Sequence, residues 1–227
     1  MAGKNQNPEN KVNANHKFTR DQLISLYMEY VLEQEKIPRS VFKFCRENNI
    51  TEEKFYTFFG SFDGLRKGVW NQLFDNSINL IEKSPEFENF TTREKLLSFY
   101  YTFFEMLTAN RSYFLFTLTE EPEMLKNLEQ LKGLRRRMKG FAVQLIREGN
   151  ENKSVQILKQ SETIFSEAAW LQLLFILKFW MDDNSAKFES TDIVIEKSVN
   201  TVFDLFDSTP LESLLDFGKF MWKEKMG

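Results

Sequence analysis

Three features of the sequence predict an all-α fold. Breakers are sparse, with 9 Gly and 5 Pro in 227 residues. Apolar residues recur at three- and four-residue steps over long stretches, the spacing of one helical face. No run alternates apolar and polar between turn signals, as a half-buried strand does. At 42% hydrophobic residues the chain can bury a core in one or two domains. Its 24 Phe supply bulky apolar surface without polar tips. About ten helices are expected from the spacing and its punctuation.

Residues 1–17 are rich in Asn and Lys and read as a disordered arm. Thr19 and Gln22 then have capping-box spacing. Leu23, Ile24, Tyr27, Met28, Val31 and Leu32 mark one face of a first helix. Ile37-Pro38 breaks the chain, and Pro38 suits the first turn of a second helix, where a missing N–H costs nothing. Val41, Phe44 and Cys45 are its inward residues. Asn48-Asn49 ends it, because Asn tolerates the left-handed conformation of such stops. Thr51 is the cap of a short third helix carrying Phe55, Tyr56, Phe58 and Phe59. Gly60-Ser61 stops that helix. Ser61 or Asp63 opens a fourth, whose apolar face runs through Leu65, Val69 and Leu73 to Ile81.

Thr91 and Glu94 form a second capping box. The fifth helix follows with Leu96, Phe99, Tyr100, Phe103, Phe104 and Leu107, and Asn110 ends it. A sixth helix spans Ser112–Thr119, before Glu120-Glu121-Pro122. Leu125, Leu128, Leu131, Leu134, Met138, Phe141 and Leu145 set a long seventh helix to about Arg147, with GNENKS as a loop. The eighth, roughly Val155–Met181, is apolar nearly all round in its second half. Asp182-Asp183-Asn184-Ser185 breaks it. A ninth carries Ile195, Val199, Val202 and Phe206. Thr209-Pro210-Leu211-Glu212 opens a tenth.

Charge and chemistry narrow the function. The net charge of −3 is uneven: residues 1–83 are near neutral and the remainder is acidic, the sign of an N-terminal nucleic-acid reader. One cysteine, Cys45, excludes an internal disulfide and a Cys-based zinc site. The N-terminus lacks the apolar run of a signal peptide. Ile164–Met181 carries Glu167, Gln172 and Lys178, too polar for a membrane span. A soluble, cytoplasmic protein is expected. It is not expected to be an enzyme. The one histidine, His16, lies in the arm, so the commonest general base is missing from the folded part. No Gly-rich phosphate loop, GxSxG elbow or HExxH occurs. No metal site and no cofactor are expected. Acids such as Glu120, Glu121, Glu123, Asp182 and Asp183 fall at helix ends and read as caps.

The segment NNITEEKFYTFFGS (Asn48–Ser61) opens with a turn of about three residues around Asn48–Ile50 that joins the second helix to the short third one it carries, the layout of a helix-turn-helix. Ser40–Leu65 resembles the DNA-binding segment of TetR-type transcriptional regulators. The shared pattern is Phe44-Cys45, a turn, Ile50-Thr51, Tyr56 to Phe59 and Leu65. Three positions depart from it. Asn49 stands where the family usually has Gly, Glu52 and Glu53 where it has small or basic residues, and Phe62 where a phosphate-contacting Lys is common.

The resemblance implies a helix-turn-helix DNA-binding domain at 18–63 and an effector-binding and dimerisation domain at 64–227. Arg39, Lys43, Thr51, Lys54, Tyr56 and Thr57 would meet double-stranded DNA. A pocket for an apolar small molecule or lipid would use Phe99, Phe103, Phe104, Phe114, Phe116, Trp170 and Phe175. Glu105, Arg111 or Lys178 would orient a polar head. Leu173, Leu177, Trp180, Val199, Val202 and Phe206 would pair two copies into a homodimer whose head spacing the effector shifts. Other readings stay open. The aromatic stripe is also plain core, the eighth helix also a central core helix. The basic run Lys132, Arg135, Arg136, Arg137 and Lys139 is either a solvated face or an anion site. Residues 210–225, with Phe217, Phe220, Met221 and Trp222 beside Lys219, Lys223 and Lys225, suit a membrane-surface helix. With the departures at Glu52, Glu53 and Phe62 and its aromatic body, the chain resembles certain coenzyme-Q biosynthesis accessory proteins of TetR-like fold, which bind lipids and membranes through such a tail, and a lipid-binding protein without operator binding is the alternative function.

Overall fold

The computed structural model describes residues 18–120, 128–151 and 161–208. The arm, Glu121–Leu125, Val155 and the tail from Thr209 therefore lie outside the described residues. All regular structure among the described residues is helical: α1 Arg20–Gln34, α2 Val41–Glu47, α3 Glu52–Phe58, α4 Phe62–Ile81, α5 Thr92–Ala109, α6 Arg111–Thr119, α7 Lys132–Glu151, α8 Glu162–Asp182 and α9 Glu189–Ser208. The chain divides into two compact units, one ending at Leu65 and the other starting at Arg66.

Local signals explain the helix ends. Both capping boxes form: Thr19 with Gln22, and Thr91 with Glu94. Each satisfies backbone donors that a helix start leaves free. Thr51 Oγ1 accepts from Lys54 N at 3.2 Å, and Ser61 Oγ accepts from Gly64 N at 3.1 Å. Pro38 does not enter α2. Ser40 caps that helix instead, its Oγ accepting from Lys43 N at 3.2 Å. Pro disfavours the helical conformation at the residue before it, so Ile37-Pro38 holds the chain extended. Asn49 sits at φ 55°, the left-handed turn that its residue type allows. GNENKS is not all loop, since α7 runs on through Glu151. The described part of α8 starts at Glu162, capped by Ser161, rather than near Val155.

In the first unit, Phe44 of α2 is the hub. Its fully buried ring meets Tyr30 at 5.2 Å, Phe62 at 5.5 Å, Phe55 at 6.2 Å and Tyr27 at 6.3 Å between centroids. Leu23, Val31, Cys45 and Leu65 complete the core. Leu32, placed on the apolar face by spacing, is exposed, and Tyr30 is buried instead. The core lies slightly around the helix from where a six-residue stripe centres it.

In the second unit, α5 packs against α6, α7 and α9, while α8 packs against α7 and α9. Leu96, Phe99, Tyr100, Phe103, Phe104 and Leu107 are all buried, as their spacing predicts. Burial raises the Tyr100 phenol well above its ordinary pKa, and its hydroxyl donates to the Ala169 carbonyl at 2.9 Å. Against the expectation drawn from Glu167, Gln172 and Lys178, α8 is long and apolar enough to cross a membrane by length and composition, and half of it is buried in the fold. It is a core helix with one open side.

Candidate functional site

In the first unit, α2 and α3 are joined by Asn48–Thr51, and Ile50 N donates to Cys45 O at 2.9 Å across the turn. α3 is seven residues long and rests on fully buried Phe55, with Phe59 just beyond its end. Arg39, Lys43, Thr51, Lys54, Tyr56 and Thr57 are all exposed. Tyr56 shows 52% of its surface. Two of these hydroxyls also serve the helix itself: Thr51 is the cap, and Thr57 Oγ1 donates to Glu53 O at 2.8 Å.

Phe42, which belongs to no apolar face named from the spacing, is 58% exposed on α2. The Arg46 guanidinium lies 5.6 Å from its ring centroid. The place of Phe42 between Arg39 and Lys43 is the signal the sequence carries. The three departures find physical roles. Asn49 adopts the left-handed turn. Glu52 and Glu53 occupy the first turn of α3, where the positive helix end favours acids. The Phe62 ring packs into the core, stacked 5.8 Å from Tyr27. Cys45 is buried. Burial, then the Glu52 carboxylate, pushes its thiol pKa up, which disfavours a reactive thiolate.

The second unit holds the expected pocket residues in another arrangement. Phe99, Phe103, Phe104 and Phe114 are buried core. Phe99 stacks on Phe103 at 5.4 Å, and Phe114 meets Trp70 at 4.6 Å. Trp170 is buried and Phe116 half-buried, while Phe175 is 57% exposed. None of these seven residues lines the cleft that opens between α4 and α7. Arg111 is not free to meet a ligand head. It lies between the rings of Trp180 and Phe188, 4.5 Å from each centroid, and donates to the carbonyls of Trp180, Met181 and Asp183. It thereby caps the end of α8, as cations at helix C-termini do. Lys178 pairs with Asp182, and Glu105 is exposed.

A cleft of about 230 Å³ opens elsewhere, among α4, α5, α7 and the turn at Phe87–Asn89. Phe74, Ile78, Phe141 and Leu145 give it an apolar floor. Glu82, Lys95, Arg137, Gln144 and Glu148 stand around it. The cleft exists because α4 and α7 are close at Asn71 and Gly133, whereas Gly140 further along α7 carries no side chain to fill the gap. Phe87 and Gly140 were not identifiable as lining residues from sequence, because neither belongs to a periodic apolar face.

The expected dimer residues are also relocated. Leu173, Leu177, Trp180, Val199 and Phe206 are buried within the subunit, and Val202 is half-buried. The residues that α8 and α9 turn outward are Leu171, Phe175, Ile193 and Leu205. An all-round apolar helix has two such sides, and spacing alone does not tell which one the subunit consumes. The basic run of α7 is largely neutralised internally. Arg135 and Lys139 bind Glu167, Arg137 binds Asp75, and Lys132 binds Glu129.

Residues 95–221, more than half of the chain, match the family model described as tetracyclin repressor-like, C-terminal domain. No curated protein and no solved structure matches.

Proposed function

The chain belongs to the tetracycline repressor-like family, and from that premise we propose that it is a dimeric, cytoplasmic, non-enzymatic regulator that binds duplex DNA and answers to a small molecule with an apolar body. One observation carries the DNA-binding part: α3 is a short helix fixed from beneath by Phe55, with Lys54, Tyr56 and Thr57 exposed on it and Arg39 and Lys43 exposed beside α2. A second helix presented in this way suits a major groove, and cations nearby suit phosphates.

The test is a salt titration of binding to a random-sequence duplex. Neutralised phosphates release counterions, so log K falls steeply with log salt. Lys43→Ala and Lys54→Ala each lower that slope by about one unit per head. A flat salt dependence in the unaltered protein overturns the DNA-binding reading.

The proposed homodimer uses the outward face of α8 and α9. Leu171 and Phe175, one helical turn apart, expose 62% and 57% of their surfaces, and buried aromatic anchors dominate most interfaces. Phe175→Glu is expected to give a monomer by sedimentation while leaving the helical signal unchanged. A dimer that persists in this variant excludes that face.

A further inference from the structure

We propose that the cleft between α4 and α7 is a receptor for a small organic cation, an amine or quaternary ammonium on an apolar body. Cation recognition deepens the effector role proposed above and rests on it only for the link to DNA.

The charges around the cleft decide the sign of the ligand. Lys95 Nζ binds Glu148 Oε2 at 2.7 Å, and its side chain is only 14% exposed. Arg137 binds Asp75 through two bonds of 2.8 and 3.2 Å. An anion would have to displace one of these carboxylates from its partner. Gln144 Nε2 is likewise directed at Glu148, at 3.3 Å. Glu82 is different: it lines the cleft, its backbone N–H donates to Ile78 O at 3.0 Å, and its carboxylate has no ion pair or hydrogen bond with the other described residues. A cation therefore meets a carboxylate that no other described group holds.

The walls agree with the charge. Phe74, Phe87 and Phe141 line the cleft, and the face of an aromatic ring attracts cations. The fold already uses this chemistry there. The Lys95 ammonium sits 5.5 Å from the Phe87 ring centroid while it binds Glu148. At about 230 Å³ the cleft falls below the range of drug-sized pockets, so the ligand is a compact molecule. At Gly140 an added Cβ meets nothing within 4 Å, which leaves the side open for entry.

Three probes of one shape test the sign: 2-phenylethylammonium, 2-phenylethanol and phenylacetate, titrated calorimetrically into the full chain. The cation is expected to bind about tenfold more tightly than the other two. Glu82→Gln removes most of that preference with the fold unchanged. Gly140→Leu fills the opening and abolishes binding, with circular dichroism confirming an intact fold. Equal or tighter binding of the alcohol or the carboxylate overturns the proposal. So does undiminished preference in Glu82→Gln, or no cation binding at millimolar concentration. DNA affinity is measured separately with and without the cation. Cation binding that leaves DNA affinity unchanged upholds the receptor and overturns effector control.

Discussion

Phe44→Ala is expected to unfold the first unit and to abolish DNA binding. Phe44 is fully buried and shares ring contacts with Tyr27, Tyr30, Phe55 and Phe62. These four residues come from α1, α3 and α4, so one side chain ties α2 to every other helix of its unit. Removing a buried Phe costs about 3–5 kcal/mol, in lost transfer energy and in the cavity left behind. A unit this small has little stability to spare. α3 rests on Phe55, so loss of the hub removes the support of the exposed helix as well. The measurement is chemical denaturation followed by circular dichroism, together with duplex binding. Loss of part of the helical signal is expected, with binding of 2-phenylethylammonium retained by the second unit. A variant that binds duplex DNA normally would show that the Phe44 cluster does not support the reading face.

Asp183→Asn is expected to destabilise the second unit by about 2–3 kcal/mol. Asp183 is 7% exposed, in the connection from α8 to α9. Its Oδ2 accepts from Thr191 N at 2.9 Å and Thr191 Oγ1 at 2.6 Å, and its Oδ1 accepts from Ser185 N at 2.8 Å. An Asn presents one acceptor where two oxygens are used, so a buried donor loses its partner. For a chain of this length the loss corresponds to a Tm lower by about 4–12 °C. The same group sets an acid limit. Burial pushes its pKa up, but the hydrogen bonds from Thr191 and Ser185 outweigh that and lower it from 3.8 to about 2. The folded pKa is below the unfolded one, so the stabilisation is complete above about pH 4. It is lost as pH falls towards 2, and amounts to about 2 kcal/mol. Thermal melts of both proteins from pH 6 to pH 2 check the sign. The gap between them should narrow below pH 4, and a gap that stays constant refutes the role given to the carboxylate.

The connection around Asp183 also shows what kind of information a sequence carries. Asp182-Asp183 reads as a helix stop, and α8 does stop there. The stop is local chemistry. The inward carboxylate is held by Ser185 and Thr191, within eight residues, whereas the capping of the same helix end by Arg111 from α6 depends on a residue about seventy positions away.

The sequence by itself determined most of the described helices, most of their caps, the inward face of α5 and the turn at Asn49, because each depends on residues within one or two turns of the chain. It also marked α3 as a short helix on an aromatic base. Only the tertiary structure decided what those faces touch. It spent Leu173 and Trp180 inside the subunit and left Leu171 and Phe175 outside. It packed Phe99 and Phe103 as core and opened the cleft beside Phe74 and Phe141 instead. Helical spacing states that a side is apolar, whereas the partner of that side follows from where distant helices converge, as at Gly133, and where they part, as at Gly140.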